Sequence, residues 1–108
     1  MCIRDRAVTG EVDYVTNGSK VYAIHGGNEM MTKITATGCA LTCLIGAALT
    51  SNQDNLVSTG NMLGIYSVAS DKASKSVRGP ASLRTELIDT IYNLTTDEVE
   101  KNIKIELI

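Results

Sequence analysis

Two short alternating runs on either side of an Asn-Gly pair constrain the fold of this chain more than any other feature. Val12–Thr16 and Lys20–His25 are rich in β-branched and aromatic residues, and Asn17–Gly18 lies between them. This pattern is typical of an antiparallel β-hairpin, because Asn and Gly readily adopt the positive φ angles of tight hairpin turns. The sequence therefore predicts a hairpin at the edge of a sheet, with His25 as a surface or sheet residue.

Helical patterns dominate the remainder of the chain. Gly38–Ser51 and Leu56–Ser74 carry apolar residues at helical spacing, and Pro80 is placed well for the first turn of a third helix. Thr95–Glu98 resembles a cap before a short acidic helix, and the alternation of Ile103–Leu107 predicts a final strand. Asp54 or Asn55 is expected to cap the second helix. The expected buried stripe of the first helix comprises Leu41, Leu44, Ile45, Ala48 and Leu49.

The start of the first predicted helix carries the strongest hint of chemistry. Met31–Cys39 is small and polar, and the apolar run Ala40–Leu49 follows it directly. The free N–H groups at a helix start attract anions, and the positive potential there favours the thiolate form of Cys39. An anion site and a candidate base within one turn suggest phosphoryl transfer to a hydroxyl. The alternatives are that the loop only caps the helix and that Cys39 is a small buried apolar residue.

Composition excludes several other functions. A length of 108 residues suits one small domain, and a net charge of −2 without a basic patch argues against nucleic-acid binding. No apolar run reaches the roughly 18 residues of a membrane span. Three cysteines and one histidine, without a Cys-x-x-Cys pair, make a zinc site unfavourable. Cys39 and Cys43 share a helix face and make no useful disulfide, so a reducing, cytoplasmic setting fits best. Cys43 is expected to pack in the core.

The beginning of the chain does not match the sequence after it. Met1–Arg6 has no signal-peptide pattern and does not lead naturally into Ala7–Gly10, so these six residues are expected to be a non-native leader. Residues 7–108 are then one portion of a single domain. A hairpin alone is also too small a sheet for such apolar helices. Both features predict that the chain begins inside a longer protein.

Several segments together resemble a known family. The resemblance is to the C-terminal part of hydroxyethylthiazole kinase, and it rests on Ala7–Val15, Val21–Gly27, Met31–Cys39 and Arg78–Leu83. The specific signal is the Thr-x-x-Gly-Cys loop of Thr35–Cys39, because most related ribokinase-like enzymes carry Asp in place of Cys39. The resemblance implies the C-terminal part of a ribokinase-like α/β three-layer sandwich, here a β-hairpin followed by three helices.

The resemblance also implies an activity and a set of roles. It implies phosphorylation of the hydroxyl of 4-methyl-5-(2-hydroxyethyl)thiazole by ATP and Mg²⁺ in thiamine biosynthesis and salvage, by a cytoplasmic homotrimer with active sites at subunit interfaces. Thr9 matches a nucleotide-contacting residue at the end of a strand, and Ala36 matches a loop position that borders the thiazole. Gly38 and Cys39 match an anion-hole turn, with Cys39 as catalytic base and Thr37 adding to phosphate binding. Capping is the expected main role of Thr35 and Thr37, and Lys33 lies near enough in sequence to reach a phosphate.

Two departures from the family pattern affect these expectations. Ala36 replaces the usual Gly, at a cost of roughly 1 kcal/mol if that position needs a positive φ. The magnesium ligands and half of the substrate pocket are expected in an N-terminal part that this chain lacks, so the chain is expected to have little or no activity by itself. Two other functions stay open. One is another ribokinase-like kinase of a small alcohol such as a pyrimidine alcohol, and the other is a standalone helical interaction module.

Overall fold

A computed structural model describes residues 6–51 and 54–108 of the chain. They form an α/β fold in which three strands precede the helices and a fourth follows them. The strands are β1 (Arg6–Val8), β2 (Asp13–Thr16), β3 (Val21–His25) and β4 (Lys104–Leu107). The helices are a 3₁₀ helix (Glu29–Lys33), α1 (Thr37–Ala48), α2 (Asn55–Ser74), α3 (Pro80–Asn93) and α4 (Thr96–Asn102). The predicted fold class is confirmed.

The four strands form one antiparallel sheet in the order β1-β2-β3-β4. The predicted hairpin is β2–β3, with Val15 opposite Tyr22. The prediction that it lies at the edge of the sheet is wrong, because β1 and β4 pair with its outer sides and make it the centre. The Asn17 Oδ1 atom accepts the N–H groups of Ser19 and Lys20 at 2.9 Å each, which closes the turn. The predicted final strand is also present and pairs with β3. The residue pattern does not predict β1, because three residues are too few to show an alternation.

Helix α2 packs against one face of this sheet along most of its length. A Cβ atom added at Gly60 would lie 3.5 Å from Val15 Cγ1, so the helix backbone comes close to β2 there. Ile24 is almost fully buried beneath the helix, at 1% exposure. The remaining core comes mainly from α1, α2 and α3, through Leu41, Leu56, Leu63, Tyr66, Ala69, Ala73, Leu83 and Leu87. The core therefore lies between the sheet and the helical layer.

Several predicted helix ends are confirmed with their caps. The Asp54 carboxylate accepts the N–H groups of Leu56 and Val57 and caps α2, and Pro80 occupies the first turn of α3. Thr95 and Glu98 form a complete capping box at the start of α4. These signals act within four residues, so they do not depend on the rest of the fold.

Helix α1 differs from its prediction in length and in burial. It ends at Ala48 rather than Ser51, because the last turn tightens and the Thr50 hydroxyl donates to the Ala47 carbonyl at 2.7 Å. Of its expected buried stripe only Leu41 is buried, whereas Leu49 is exposed. The prediction that Cys43 packs in the core is wrong, since its side chain is exposed. Helix α1 contacts α2 through another face, so the Cys39–Cys43 face is left open to solvent.

The expected leader lies mostly outside the described residues. Positions 1–5 of the Met1–Arg6 segment are not among them, and the leader stays a prediction. Arg6 is the first residue of β1, where it is opposite Thr16. Within the described part of the chain, no helix combines the length and the apolar character needed to cross a bilayer.

The close approach at Gly64 gives a stability test. A Cβ atom there would lie 2.5 Å from Ile103 Cδ1 and 2.7 Å from Ile103 Cγ1. We expect Gly64→Ala to lower the free energy of unfolding by about 1–2 kcal/mol, because the Ile103 side chain must leave its packed position to make room. Gly46→Ala is the matched control in α1, since a Cβ atom there meets nothing within 4 Å. It should raise stability by about 0.5–1 kcal/mol. Urea unfolding of both variants measures this, and a stabilised Gly64→Ala protein would contradict the close contact.

Candidate functional site

A cleft of about 690 Å³ opens where the end of the sheet meets the start of α1 and the middle of α2. The sheet contributes the segments that leave β1 and β3, and the 3₁₀ helix forms part of one wall. The lining residues are Thr9, Gly10, Glu11, Asp13, Gly26, Gly27, Asn28, Glu29, Met31, Thr32, Thr37, Gly38, Leu41, Tyr66, Ser67 and Ser70. Most of them are small or polar, so the wall offers backbone groups and hydroxyls to a ligand.

The turn that follows β1 is held by an aspartate that sequence analysis missed. Thr9 comes directly after the last residue of β1, at the strand end that the resemblance implied. The Gly10 N–H donates to Asp13 Oδ1 at 3.0 Å, which fixes the connection into β2. Burial raises the pKa of the half-buried Asp13 carboxyl, and the hydrogen bond from Gly10 opposes that rise. Gly and Asp are typical turn residues, so Gly10–Asp13 could have been identified as a turn, but no sequence pattern predicts this contact.

The segment after β3 crosses the cleft without side chains. Gly26 has a φ of 120°, a region that residues with a Cβ rarely adopt. A Cβ atom at Gly26 would lie 3.1 Å from Asp71 Oδ2 and 3.4 Å from Ser67 Cβ. Glycine at position 26 therefore lets the backbone lie directly against α2 while it also lines the cleft.

The start of α1 has no side-chain cap. Its N-cap residue is Ala36, which has φ 72° and ψ 8° and is the one left-handed non-glycine residue within the described ranges. The Ala40 N–H donates to the Ala36 carbonyl, so the helical hydrogen bonds begin there. The prediction that Thr35 and Thr37 cap this helix is wrong, since an alanine holds the cap position. The N–H groups of the first turn, from Thr37 to Cys39, thus lack helical partners and are available to an acceptor.

A tyrosine from α2 fixes that first turn. The Tyr66 side chain is buried, and its hydroxyl donates to the Thr37 carbonyl at 3.1 Å. Burial also raises the pKa of Tyr66, so the hydroxyl remains protonated and able to donate at neutral pH. No sequence pattern links these residues, which are 29 positions apart.

The structure brings together three of the five residues expected at a site. Thr9, Thr37 and Gly38 all line the cleft. Ala36 and Cys39 do not line the cleft, although they are next to Thr37 and Gly38 in the chain, and the Cys39 thiol is exposed. Lys33 is exposed in the last turn of the 3₁₀ helix and does not line the cleft. His25 is an exposed sheet residue as predicted, with its Nε2 atom 3.3 Å from Glu106 Oε2.

The described residues do not by themselves assemble a metal site. Glu11, Asp13 and Glu29 line the cleft. Across residues 6–51 and 54–108, however, no group of three or more His, Cys, Asp or Glu side chains is placed to hold a metal ion.

Comparison with known proteins places the chain in one family. The model of the hydroxyethylthiazole kinase family matches residues 5–97. The hydroxyethylthiazole kinase of Pyrococcus furiosus is 40% identical over 102 residues, which cover 94% of this chain and 38% of that protein. The hydroxyethylthiazole kinase of Zea mays is 42% identical over 102 residues, 94% of this chain and 36% of the relative.

A solved structure agrees with the sequence relatives. The structure of hydroxyethylthiazole kinase protein from Pyrococcus horikoshii OT3 superposes with a TM-score of 0.89 at 30% sequence identity. The match covers 94% of this chain and 40% of that one. The chain thus spans well under half the length of the relatives it matches.

The left-handed Ala36 gives a second stability test. A left-handed conformation costs an alanine about 1–2 kcal/mol, and glycine avoids most of that cost. We therefore expect Ala36→Gly to raise the free energy of unfolding by about 1 kcal/mol. Ala40→Gly, in the next turn of the same helix, should lower it by about 1 kcal/mol. Urea unfolding compares the two, and equal losses would show that residue 36 is not left-handed.

The raised pKa of Asp13 predicts a pH dependence of stability. Above the ordinary pKa of 3.8, the folded protein binds more protons at this carboxyl than the unfolded protein does. The stability that protonated Asp13 contributes is therefore present at low pH and lost as the pH rises. Asp13→Asn stays neutral and keeps an oxygen for Gly10. We expect its melting temperature to exceed that of the wild type at pH 7, and the difference to shrink toward pH 4. A difference that does not change with pH would contradict the effect of burial.

Proposed function

The chain belongs to the hydroxyethylthiazole kinase family, and from that premise we propose that it is part of an ATP-dependent kinase. The proposed reaction transfers the terminal phosphoryl group of ATP to the hydroxyl of 4-methyl-5-(2-hydroxyethyl)thiazole, in thiamine biosynthesis and salvage. Relatives that carry the kinase name, in an archaeon and in a plant, support this proposal. Because the chain spans little more than a third of their length, the reaction is proposed for the whole protein.

The observation that carries the proposal is the uncapped start of α1 beside the cleft. Phosphoryl transfer needs positioning and stabilisation of negative charge more than covalent chemistry. The N–H groups of Gly38 and Cys39 lie at the positive end of a 12-residue helix, where they suit a developing phosphoryl charge. The Thr37 hydroxyl is a further donor in the same turn. In this proposal these groups bind the transferred phosphoryl group.

Cys39 is the proposed catalytic base. The thiolate would accept the proton of the alcohol while the hydroxyl oxygen attacks phosphorus, and a base near the attacking oxygen is worth about 10²–10⁴ in rate. The exposed position of Cys39, one residue after the lining residue Gly38, supports access to a substrate. Ala36 would border the thiazole, and Thr9, across the cleft after β1, would contact the nucleotide.

Three further parts of the proposal concern the whole protein. ATP is the phosphoryl donor, and Mg²⁺ is proposed to accompany its phosphates with ligands from outside the described residues, which form no three-ligand group of their own. We also propose a cytoplasmic homotrimer. The exposed apolar side chains of Ile88 and Tyr92 on α3 support packing against further protein surface.

Two other functions have less support. A ribokinase-like kinase of a pyrimidine alcohol is disfavoured, because a cysteine stands at position 39 where most of those enzymes carry Asp. A standalone helical interaction module has only the exposed apolar residues of α3 in its favour. A module of that kind would show no shift of melting temperature with ATP.

The proposal predicts unequal effects of two neighbouring cysteines. In the product of the complete reading frame, Cys39→Ala should lower kcat for the thiazole alcohol by about 10²-fold or more, because the proton loses its acceptor. Cys43→Ala, one turn further along the same exposed face, should change kcat by less than about twofold. A coupled assay of ADP release measures both variants and the wild type.

The outcomes separate the parts of the proposal. Equal, small effects would remove Cys39 from the mechanism, and a wild-type protein without turnover would contradict the kinase function. The 108-residue chain assayed alone should show little or no turnover, and substantial turnover would show that it needs no further protein.

A further inference from the structure

Two side-chain hydroxyl groups donate hydrogen bonds to the backbone carbonyls at the start of α1. The Tyr66 hydroxyl donates to the Thr37 carbonyl at 3.1 Å, and the Thr42 hydroxyl donates to the Gly38 carbonyl at 2.9 Å. The two carbonyls belong to consecutive peptide groups. The N–H groups of those same peptide groups belong to Gly38 and Cys39, the proposed phosphoryl-binding donors.

A peptide group transmits this contact from one side to the other. The C=O and N–H of a peptide share one conjugated system, so a hydrogen bond accepted by the oxygen makes the N–H a stronger donor. Condensed-phase estimates put this strengthening at about 10–30% per bond. The N–H groups of Gly38 and Cys39 thus each belong to a peptide group whose carbonyl oxygen, at the opposite end, accepts a hydrogen bond from a hydroxyl.

The two contacts differ in what could replace them. A threonine hydroxyl commonly bonds the carbonyl four residues earlier in a helix, and Thr42 is exposed, so water can take its place. Tyr66 makes a contact between two helices, is 8% exposed, and lines the cleft together with Thr37. Loss of its hydroxyl leaves the carbonyl of the half-buried Thr37 without that donor.

We propose that Tyr66, assisted by Thr42, is a positioning residue of the kinase site that holds and polarises the two peptide groups that bind the transferred phosphoryl group. This inference rests on the function proposed above. Tyr66 itself touches no reacting atom. It acts through the Gly38 N–H, and its burial keeps the hydroxyl protonated as a donor.

The test uses Tyr66→Phe in the product of the complete reading frame. The ring is kept, so the core remains filled and only the donor is lost. Removal of a whole oxyanion-hole donor costs about 10²–10³ in kcat, and weakening one should cost less. We expect kcat to fall about tenfold while KM for the thiazole alcohol changes less than twofold. Thr42→Val should lower kcat about threefold, because water restores part of its contact.

Two controls separate positioning from general destabilisation. Tyr14→Phe makes the same chemical change at an exposed side chain of β2 that does not line the cleft, and it should leave kcat unchanged. Gly64→Ala disturbs the packing of the Ile103 side chain, which does not line the cleft, so it should lower the melting temperature without a tenfold loss of kcat.

The kcat values and melting temperatures of these variants decide whether Tyr66 positions the site. If Tyr66→Phe lowers kcat no more than Gly64→Ala does at a similar loss of melting temperature, Tyr66 only packs, and the inference is overturned. If Tyr66→Phe does not fold, Thr42→Val decides, and a wild-type kcat in that variant overturns the inference. A wild-type protein that phosphorylates no thiazole alcohol would instead overturn the proposed function.

Discussion

Helix α2 approaches the sheet so closely that a Cβ atom at Gly64 would meet Ile103 at 2.5 Å, and one at Gly60 would meet Val15 at 3.5 Å. This contact determines where the other elements lie. Ile103 and Ile105 lead into and form β4, so the fourth strand is positioned against α2 as well as against β3. The other helices pack around α2, and it carries most of the buried residues. A helix set further from the sheet would leave a void in the core and misplace the cleft.

The cleft is a consequence of this arrangement. It forms where segments far apart in sequence end next to one another, after β1, after β3 and before α1. Helix α2 supplies its floor with Ser67 and Ser70, and it supplies Tyr66, which fixes the first turn of α1. Small side chains on α2 serve two purposes here, since they permit the close helix–sheet contact and leave space for a ligand.

The start of α1 departs from the local rules that α2 and α4 follow, and unlike α3, which also lacks a side-chain cap, it has no proline in its first turn. Helices α2 and α4 begin with side-chain caps, whereas α1 begins at a left-handed alanine without one. Both features cost stability, and an exposed cysteine follows three residues after that alanine. Departures of this kind concentrate at functional sites, where free N–H groups are more useful to a ligand than to the fold. That agrees with the role proposed for this turn.

Local patterns in the sequence were sufficient for most of the secondary structure, but not for β1, the 3₁₀ helix or the end of α1. The hairpin around Asn17–Gly18, the Asp54 cap, Pro80 and the Thr95–Glu98 capping box each depend on contacts within four residues, which a sequence displays directly. The loop before α1 likewise indicated the turn that is proposed to bind an anion, and the family resemblance supplied Thr9 as a candidate nucleotide contact.

Only the tertiary structure decided which side chains are buried and which of them meet. Cys43 looks apolar in sequence, yet its face of α1 is open, because burial depends on which neighbours the fold brings near. The pKa of Asp13 is raised because the fold partly buries its carboxyl. The bond from Tyr66 to Thr37 spans 29 residues, and the left-handed φ of Ala36 runs against the local preference of an alanine. The spacing of apolar residues in a sequence indicates the helix or strand to which each residue belongs. The burial and the contacts described above depend instead on packing between elements that are distant in sequence.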